Sequence, residues 1–286
     1  MQYMNEISSK VGKIKKMIKE ADAILIGAGS GLSTSAGIKY SGEEFAQEFM
    51  PFINKYNFMD LYTASFYDFP SEEEKWGFFA KFIKFADTGR NALPLYKKLY
   101  NLVKDKEYFV LTTNVDDQFL RAGFDKNKYF ATQGSYSKLQ CSVPCHNKLY
   151  DNTELVEKMI KNTDNNLKIP KELVPKCPIC GKPMEVNLRK DGNFVQDDEW
   201  YKQDNSYGEF LDNNADKKVL LLELGVGFNT PGIIRFPFEQ MTYQNENWKL
   251  VRINRENANN WVANIDDKSI LIENDINYVV NELVNQ

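Results

Sequence analysis

The chain has 286 residues, 42% of them hydrophobic and 27% charged, which is the composition of a globular protein with a sizeable core. A formal net charge of −4, with acidic and basic residues interspersed, excludes a general electrostatic attraction to nucleic acid or to an anionic membrane. Four cysteines in a chain of this length do not indicate a disulfide framework. The single histidine excludes a mechanism that needs several histidines.

A glycine-rich turn follows the first predicted helix and strand. Hydrophobic residues at helical spacing predict an amphipathic helix over residues 5–20, and the apolar run at 23–26 predicts a buried strand. The turn then carries small residues: Gly27, Ala28, Gly29, Ser30 and Gly31. Because glycines let backbone N–H groups come close to a ligand, the turn predicts a phosphate site, with an ordinary strand-to-helix turn as the alternative. Residues 33–35 are expected to cap or begin the next helix.

Aromatic residues crowd the segment from about residue 45 to residue 85. We interpret this segment as a helical module that covers the ligand cleft. The alternative is that most of these rings simply form a core, which is the ordinary role of buried aromatic side chains.

Later apolar runs complete an alternation of strands and helices. Strands are predicted at 108–111, 219–222, 250–253 and 270–272, and helices around 95–103 and 276–283. This order predicts an α/β fold with a parallel, doubly wound sheet into which the aromatic and cysteine segments are inserted. Polar residues come directly after two of the strands: Asn114 and Asp116 after the first, and Asn254 after another. Open α/β sheets bind their ligands at such strand ends.

The four cysteines form two close pairs: Cys141 with Cys145, and Cys177 with Cys180. Two such pairs match a tetrahedral zinc site of four thiolates, and a site closed in this way is structural rather than catalytic. The alternative is four unconnected buried thiols. The polar stretch between the pairs is expected to be mobile. The single histidine, His146, directly follows a cysteine and has a poor context for catalysis.

The order of these motifs resembles that of the sirtuin family across nearly the whole chain. Residues 29–33, followed by Ala-Gly-Ile at 36–38, are similar to the family's NAD loop, and residues 112–116 resemble its Thr-Gln-Asn-Ile-Asp motif. The two cysteine pairs occupy the family's zinc positions. Residues 225–227 stand where a Gly-Thr-Ser motif binds NAD, and residues 253–256 resemble the strand end that holds the adenosine ribose.

Departures from the family pattern indicate one branch. The family's catalytic histidine precedes the first zinc cysteine by eight residues, and that position is Gln133 here. Residues 39–42 read Lys-Tyr-Ser-Gly where Pro-Asp-Phe-Arg is usual, and Thr113 replaces the glutamine of the family motif. These features resemble the macrodomain-linked, class M sirtuins of bacterial pathogens and fungi, described as transferring ADP-ribose to a protein. An amide does not titrate near neutral pH as histidine does, but it can hold a ribose hydroxyl by hydrogen bonds.

The resemblance implies a single sirtuin catalytic domain over residues 1–286, built from a Rossmann-like part and two insertions. The Rossmann-like part is expected at about 1–43, 94–133 and 215–286. The inserted helical module is expected at about 44–93, and the inserted zinc-binding module at about 134–214.

The resemblance also implies the residues of the site. Asn114 and Gln133 are predicted to be catalytic. The residues expected to bind NAD are Gly27, Ala28, Gly29, Ser30, Gly31, Ser33, Asn114, Asp116, Gln133, Gly225, Gly227, Asn229, Asn254 and Glu256. The residues expected to hold structural Zn2+ are Cys141, Cys145, Cys177 and Cys180.

The function that the resemblance implies is NAD-dependent protein mono-ADP-ribosyl transfer, with NAD consumed and nicotinamide released. The implied acceptor is a lipoyl-carrier protein related to the glycine cleavage H protein. A macrodomain hydrolase would reverse the modification, and the pair would belong to an oxidative stress response.

Other functions stay open at this point. The nearest is an NAD-dependent protein-lysine deacylase with a substituted base, and another is a non-catalytic sensor of NAD or ADP-ribose. A nucleic-acid-binding zinc protein is disfavoured, because the cysteine region lacks a basic and aromatic face. No run of the sequence has the length of a membrane span or a signal-peptide core, so no membrane partner and a cytoplasmic location are expected.

Overall fold

Two β-sheets carry the fold of residues 2–285, which are the residues that the computed structural model describes. The strands are β1 (Ala23–Ala28), β2 (Glu107–Thr112), β3 (Tyr129–Ala131), β4 (Gly134–Cys141), β5 (Tyr150–Asp151), β6 (Met184–Leu188), β7 (Val219–Leu224), β8 (Trp248–Asn254) and β9 (Ser269–Glu273). Six of them form a parallel sheet in the order β3-β2-β1-β7-β8-β9. The other three form an antiparallel sheet in the order β5-β4-β6. The predicted Rossmann-like α/β class with a parallel sheet is confirmed.

Helices cover both faces of the parallel sheet. The α-helices are α1 (Gln2–Glu20), α2 (Ser30–Ala36), α3 (Glu43–Tyr56), α4 (Leu61–Ala64), α5 (Glu72–Ile83), α6 (Pro94–Val103), α7 (Gln118–Arg121), α8 (Thr153–Asn162), α9 (Asp198–Asn213), α10 (Arg235–Gln244) and α11 (Ile276–Val284). Residues of α1, α2, α6, α7 and α11 share a core with one face of the sheet, and residues of α9 and α10 share a core with the other. None of these helices is long and apolar enough to cross a membrane.

The central strand β1 explains why its sequence is an unbroken apolar run. All six of its residues are buried, because β2 and β7 flank it and helices pack above and below it. A strand covered on both faces has no solvent side and therefore shows no alternation of polar residues. Strand β7 is buried in the same way but contains one carboxylate, Glu223.

The aromatic segment forms a core that continues into the cysteine region. Phe49 and Phe78 are fully buried among rings of α3 and α5, and the ring of Phe82 lies 5.1 Å from that of Tyr136 on β4. The same core includes Cys141 and residues of α8 and β6. Most of these rings are thus core residues, and the helical and cysteine-bearing segments stabilise each other through one shared core.

Two local expectations are wrong. Residues 33–35 neither cap nor begin a helix: they lie inside α2, whose N-cap is Gly29. The polar stretch between the cysteine pairs was expected to be mobile, but it contains the helix α8, with Val156 and Met159 buried on one side. The short second sheet and the helix α9 were not predicted from the sequence.

Candidate active site

The carboxyl end of the parallel sheet is closed by a contact between two glycine-containing turns. The backbone N–H of Gly29 donates to the carbonyl of Leu224 (3.0 Å), and that of Gly31 donates to the carbonyl of Gly225 (3.0 Å). A Cβ atom on Gly225 would lie 2.3 Å from the nitrogen of Leu32, and Gly225 has a φ of +65°, which favours glycine. Close packing of backbone on backbone therefore requires these glycines.

This contact changes the role expected of the glycine turn. The amide groups of Gly29 and Gly31 are occupied by carbonyl oxygens, so the exposed residue of the turn is Ser30. Gly27 and Ala28 are buried at the end of β1, and the carbonyl of Ala28 accepts from the Thr112 hydroxyl (3.0 Å). The turn therefore shapes the carboxyl edge of the parallel sheet, and side chains of neighbouring elements complete the candidate site there.

Four side chains from three parts of the chain form one buried hydrogen-bond relay at this edge. The Asn114 amide donates to the carbonyl of Gly29 (3.0 Å) and lies 3.5 Å from the Tyr96 hydroxyl. Ser33 donates its hydroxyl proton to Asp116 (2.5 Å). The Tyr96 hydroxyl, 3.1 Å from the Ser33 hydroxyl, is therefore the donor in that contact. The relay fixes Asn114 and Asp116 relative to the glycine turn.

Asp116 is held so that it titrates close to neutral pH. Burial is the main cause and raises its pKa to about 6, with Asp117 acting in the same direction. The hydrogen bonds from Ser33 and from the backbone N–H of Gln118 oppose that shift. Burial also raises the pKa of Tyr96, which keeps its hydroxyl protonated as a donor. Asp116 is thus a buried acidic group at this edge.

The raised pKa of Asp116 predicts a pH-dependent stability. A folded-state pKa above the ordinary 3.8 means that the folded chain binds more protons than the unfolded chain between about pH 4 and pH 6, so stability is lost as pH rises through that window. Relative to Asp116→Asn, the free energy of unfolding of the wild type should fall by about 2 kcal/mol from pH 4 to pH 6. Urea unfolding of both proteins across this range measures it. Parallel curves would contradict the assignment.

Gln133 lies at the same edge of the sheet in the turn between β3 and β4. The N–H of Thr132 donates to the carbonyl of Thr112 (3.0 Å), which joins this turn to the end of β2. The Gln133 side chain is half-buried and contacts the Thr132 hydroxyl at 3.4 Å. The backbone carbonyl of Gln133 accepts from the backbone N–H of Arg189 (3.0 Å). Within residues 2–285, the side-chain amide is therefore held only by the long contact with Thr132.

The remaining predicted residues lie on the side of β7 and β8. The Asn254 side chain donates to the carbonyl of Val226 (3.1 Å), and the N–H of Gly225 donates to the carbonyl of Ile253 (3.0 Å). These two residues are therefore brought together with the glycine turn. Gly227, Asn229 and Glu256 are exposed, and none is held in the relay around Asn114.

The four cysteines meet at one point. Their Sγ atoms all lie within 4.8 Å of one another, with Cys141 3.6 Å from Cys180 and Cys145 3.7 Å from Cys177. Zn–S bonds of about 2.3 Å in a tetrahedron place sulfur atoms about 3.8 Å apart, so the donor set fits a metal such as zinc. Gly181, with a φ of +71°, makes the tight turn after the second pair.

His146 belongs to the cysteine cluster's surroundings and not to the sheet edge. Its Nδ1 lies 3.2 Å from the Cys145 Sγ and its Nε2 lies 2.9 Å from the Tyr150 hydroxyl. The only histidine of the sequence therefore takes no position beside Asn114 or Asp116.

A cavity of about 500 Å³ opens between the helical segment and the antiparallel sheet. Its lining combines aromatic and apolar side chains with three cations and one carboxylate, and it comprises Tyr62, Ser65, Phe66, Lys75, Trp76, Phe79, Tyr136, Glu185, Val186, Leu188, Arg189 and Lys190. The backbone of Arg189 joins this cavity to the sheet edge, because its N–H donates to the backbone carbonyl of Gln133.

Tyr96 and Arg189 are site residues that the sequence did not indicate. Tyr96 lies on the apolar face of α6 and its ring packs against Phe119 at 4.9 Å, so its spacing predicts a core residue. Arg189 follows β6, a strand of the sheet that was not predicted. In neither case does the residue type or its spacing mark it as functional.

The chain is similar to proteins from two organisms and to a solved fold. No family model matches it. It is 38% identical over 278 residues to a Staphylococcus aureus protein named protein ADP-ribosyltransferase, covering 97% of this chain and 88% of that protein. It is 30% identical over 250 residues to a Fusarium oxysporum f. sp. cubense protein named probable bifunctional ADP-ribose hydrolase/ADP-ribosyltransferase, covering 84% of this chain and 41% of that protein. Its fold is similar to that of a Sir2 homologue in complex with ADP-ribose, with a TM-score of 0.59, 16% identity and coverage of 95% of this chain and 94% of that one.

Proposed function

Because the chain belongs to the family of sirtuin-type protein ADP-ribosyltransferases, we propose that it consumes NAD, releases nicotinamide and transfers one ADP-ribose unit to a protein acceptor. One observation carries the proposal. An amide, Gln133, lies at the same sheet edge as the relay of Asn114 and Asp116, where deacylation would need a base that titrates near neutral pH.

NAD lies along the carboxyl edge of the parallel sheet in this proposal. The pyrophosphate is placed at the glycine turn over the exposed Ser30, and the adenosine side over Gly225 and Asn254. The nicotinamide ribose is placed near Asn114 and Gln133. Support comes from the hydrogen bonds that join these turns and from the rule that open α/β sheets bind ligands at this edge.

The transfer step requires positioning and charge stabilisation more than proton transfer. The bond between ribose C1′ and nicotinamide breaks with its electron pair leaving on nicotinamide, and C1′ then accepts a pair from the nucleophile of the acceptor protein. Asn114, fixed by its bond to Gly29, orients the ribose end. The carboxylate of Asp116 favours the positive charge that develops at C1′, because the surroundings are dry. Gln133 holds a ribose hydroxyl.

We further propose that the metal of the cysteine cluster is zinc. Four thiolates at the spacings described leave no open coordination position, so the ion would act as a structural cross-link. It would join β4, which carries Cys141, to the turn that carries Cys177 and Cys180.

The aromatic cavity supports a lipoyl-carrier protein, related to the glycine cleavage H protein, as the acceptor. A lipoyl arm is apolar and long enough to enter a cavity lined by rings such as Phe66 and Phe79. Lys75 and Lys190 also line the cavity, in ion pairs with Glu72 and Glu185, so the proposal rests on the apolar part of the lining. Because a lipoyl group is a redox-active disulfide, this acceptor places the enzyme in an oxidative stress response. A hydrolase that removes the ADP-ribose is the proposed functional partner, since the Fusarium relative's name combines both activities.

Lipoylation should decide which carrier is modified. With NAD present, we expect a lipoylated glycine cleavage H-like protein to gain one ADP-ribose unit at least about tenfold faster than the same carrier without the lipoyl group. Intact-mass spectrometry of both carriers over time measures the rates. Equal rates would show that the cavity does not recognise the lipoyl group. Modification of neither carrier would show that this protein class is not the acceptor.

A deacylase with a substituted base is the second candidate, supported by the fold it shares with the Sir2 homologue. It predicts O-acyl-ADP-ribose and free lysine from an acylated peptide. A non-catalytic sensor predicts binding of NAD without nicotinamide release. Analysis of the products by mass spectrometry distinguishes all three functions.

A further inference from the structure

Four charged side chains are buried together behind the sheet edge. Glu223 on β7, Arg252 on β8 and Arg235 on α10 are fully inaccessible to solvent, and so is Glu239 on α10. Arg252 joins the two acids: its Nε donates to Glu223 (2.7 Å) and its Nη2 lies 2.7 Å from Glu239. Two positive and two negative charges balance, which buried ions require.

Arg235 and Glu239 also form hydrogen bonds with the backbone of the loop at residues 255–262. The Nη2 of Arg235 donates to the carbonyls of Asn257 (2.6 Å) and Asn259 (2.8 Å). The second carboxylate oxygen of Glu239 accepts the N–H groups of Trp261 (2.8 Å) and Val262 (3.0 Å). Residues 255–262 form no helix or strand, so these side chains determine the path of the loop.

Arg235 also reaches the glycine contact itself. Its Nη1 lies 3.4 Å from the carbonyl of Val226, the same carbonyl that accepts from Asn254. Val226 directly follows Gly225, whose backbone packs on Gly31. One planar guanidinium thus connects the turn after β7 with the loop after β8, and its face lies 4.3 Å from the ring of Phe228.

We propose that Arg235 is a positioning residue for the adenosine end of the site, which holds the turn at 225–226 and the loop at 257–259 at a fixed separation before the ligand arrives. This inference rests on the proposed function, because it takes NAD to bind at this edge. A preformed edge spares the ligand the entropy of ordering two loops, so the effect falls on affinity and not on the transfer step.

Arg235→Lys tests the proposal with little change in charge. Lysine keeps the balance of the quartet, but a single ammonium cannot donate to three separated carbonyls in one plane. We expect Kd for ADP-ribose to rise about tenfold and KM for NAD to rise by a similar factor, with kcat at saturating NAD within about threefold of wild type. Calorimetric titration with ADP-ribose gives the Kd without any turnover.

Arg90→Lys is the matched control. Arg90 also stacks on a phenylalanine, Phe85 (4.5 Å), and also donates to a backbone carbonyl, but it lies beyond α5 and away from both loops. Its Kd for ADP-ribose should stay within twofold of wild type. Urea unfolding of each protein checks the fold. If Arg235→Lys fails to fold, the double variant Arg235→Met, Glu239→Gln replaces it in the experiment. This variant removes one buried charge of each sign, and we expect the same rise in Kd for ADP-ribose.

The outcomes separate this inference from the function it rests on. Failure of the wild type to bind ADP-ribose would overturn the proposed function. Binding by the wild type with an unchanged Kd for the folded Arg235 variant would overturn the positioning role alone. A loss of kcat at saturating NAD with an unchanged KM would also overturn it, because a residue that sets affinity cannot act in that way.

Discussion

Asn114→Ala should lower kcat for ADP-ribose transfer by about 10²–10³-fold, the loss typical of removing one fixed polar group that acts in the transition state. The side chain is buried, and its hydrogen bond to Gly29 ties the end of β2 to the glycine turn. Alanine therefore removes the group that orients the ribose and also releases the relay through Tyr96. Single-turnover formation of nicotinamide measures the chemical step apart from binding.

The control for Asn114→Ala is a second buried asparagine. Asn214 donates to the carbonyl of Phe210 (2.7 Å) at the end of α9, away from the sheet edge. Asn214→Ala should lose a similar amount of stability, on the order of 1–3 kcal/mol, and keep its kcat. Gln133→Ala should lose transfer with little loss of stability, because its side chain makes one long contact. Wild-type-like transfer by both Asn114→Ala and Gln133→Ala would remove these residues from the mechanism.

Cys177→Ser should release the metal and destabilise the fold by at least about 3 kcal/mol, because the binding free energy of a structural zinc ion is also folding free energy. Cys177 is buried, and its sulfur pairs with that of Cys145. The loss should extend beyond the cysteine region, since Cys141 and Cys177 belong to the core that also holds α3 and α5. Metal analysis together with thermal unfolding measures both effects.

His146→Ala serves as the control for the cysteine variant. The imidazole contacts the Cys145 sulfur, but the ligand group consists of the four cysteines alone. The variant should therefore keep one zinc per chain and unfold near the wild-type temperature. A wild-type protein that binds no zinc, or a Cys177→Ser protein that keeps one equivalent, would contradict the structural site.

The parallel sheet could be predicted because burial on both faces leaves an unbroken apolar run, as in β1 and β7. The antiparallel sheet could not, because β5 has two residues and β4 mixes buried and half-buried polar positions. Helix α9 was not predicted for a related reason. Phe210 is the one fully buried residue along it, so its sequence shows only a weak hydrophobic periodicity.

The candidate site likewise contains residues that the sequence could predict and contacts that it could not. Asn114 and Asp116 could be predicted, because polar residues after a buried strand are a local signal. The bond between Ser33 and Asp116 joins residues 83 positions apart, and no local pattern contains it. The quartet of Glu223, Arg235, Glu239 and Arg252 is equally non-local. Arg252 lies in a predicted strand and Glu223 directly follows another, but Arg235 and Glu239 lie on α10, which was not predicted, and only the packing of α10 on β7 and β8 pairs the charges.

The central claim is that NAD is consumed to modify a protein. The most direct measurement incubates the enzyme with NAD and a lipoylated carrier, and quantifies nicotinamide and carrier-bound ADP-ribose in the same samples. We expect equal molar amounts of the two in wild type and neither above background in Asn114→Ala. Nicotinamide release that appears only with an acylated peptide and yields O-acyl-ADP-ribose, or binding of NAD without any nicotinamide, would contradict it.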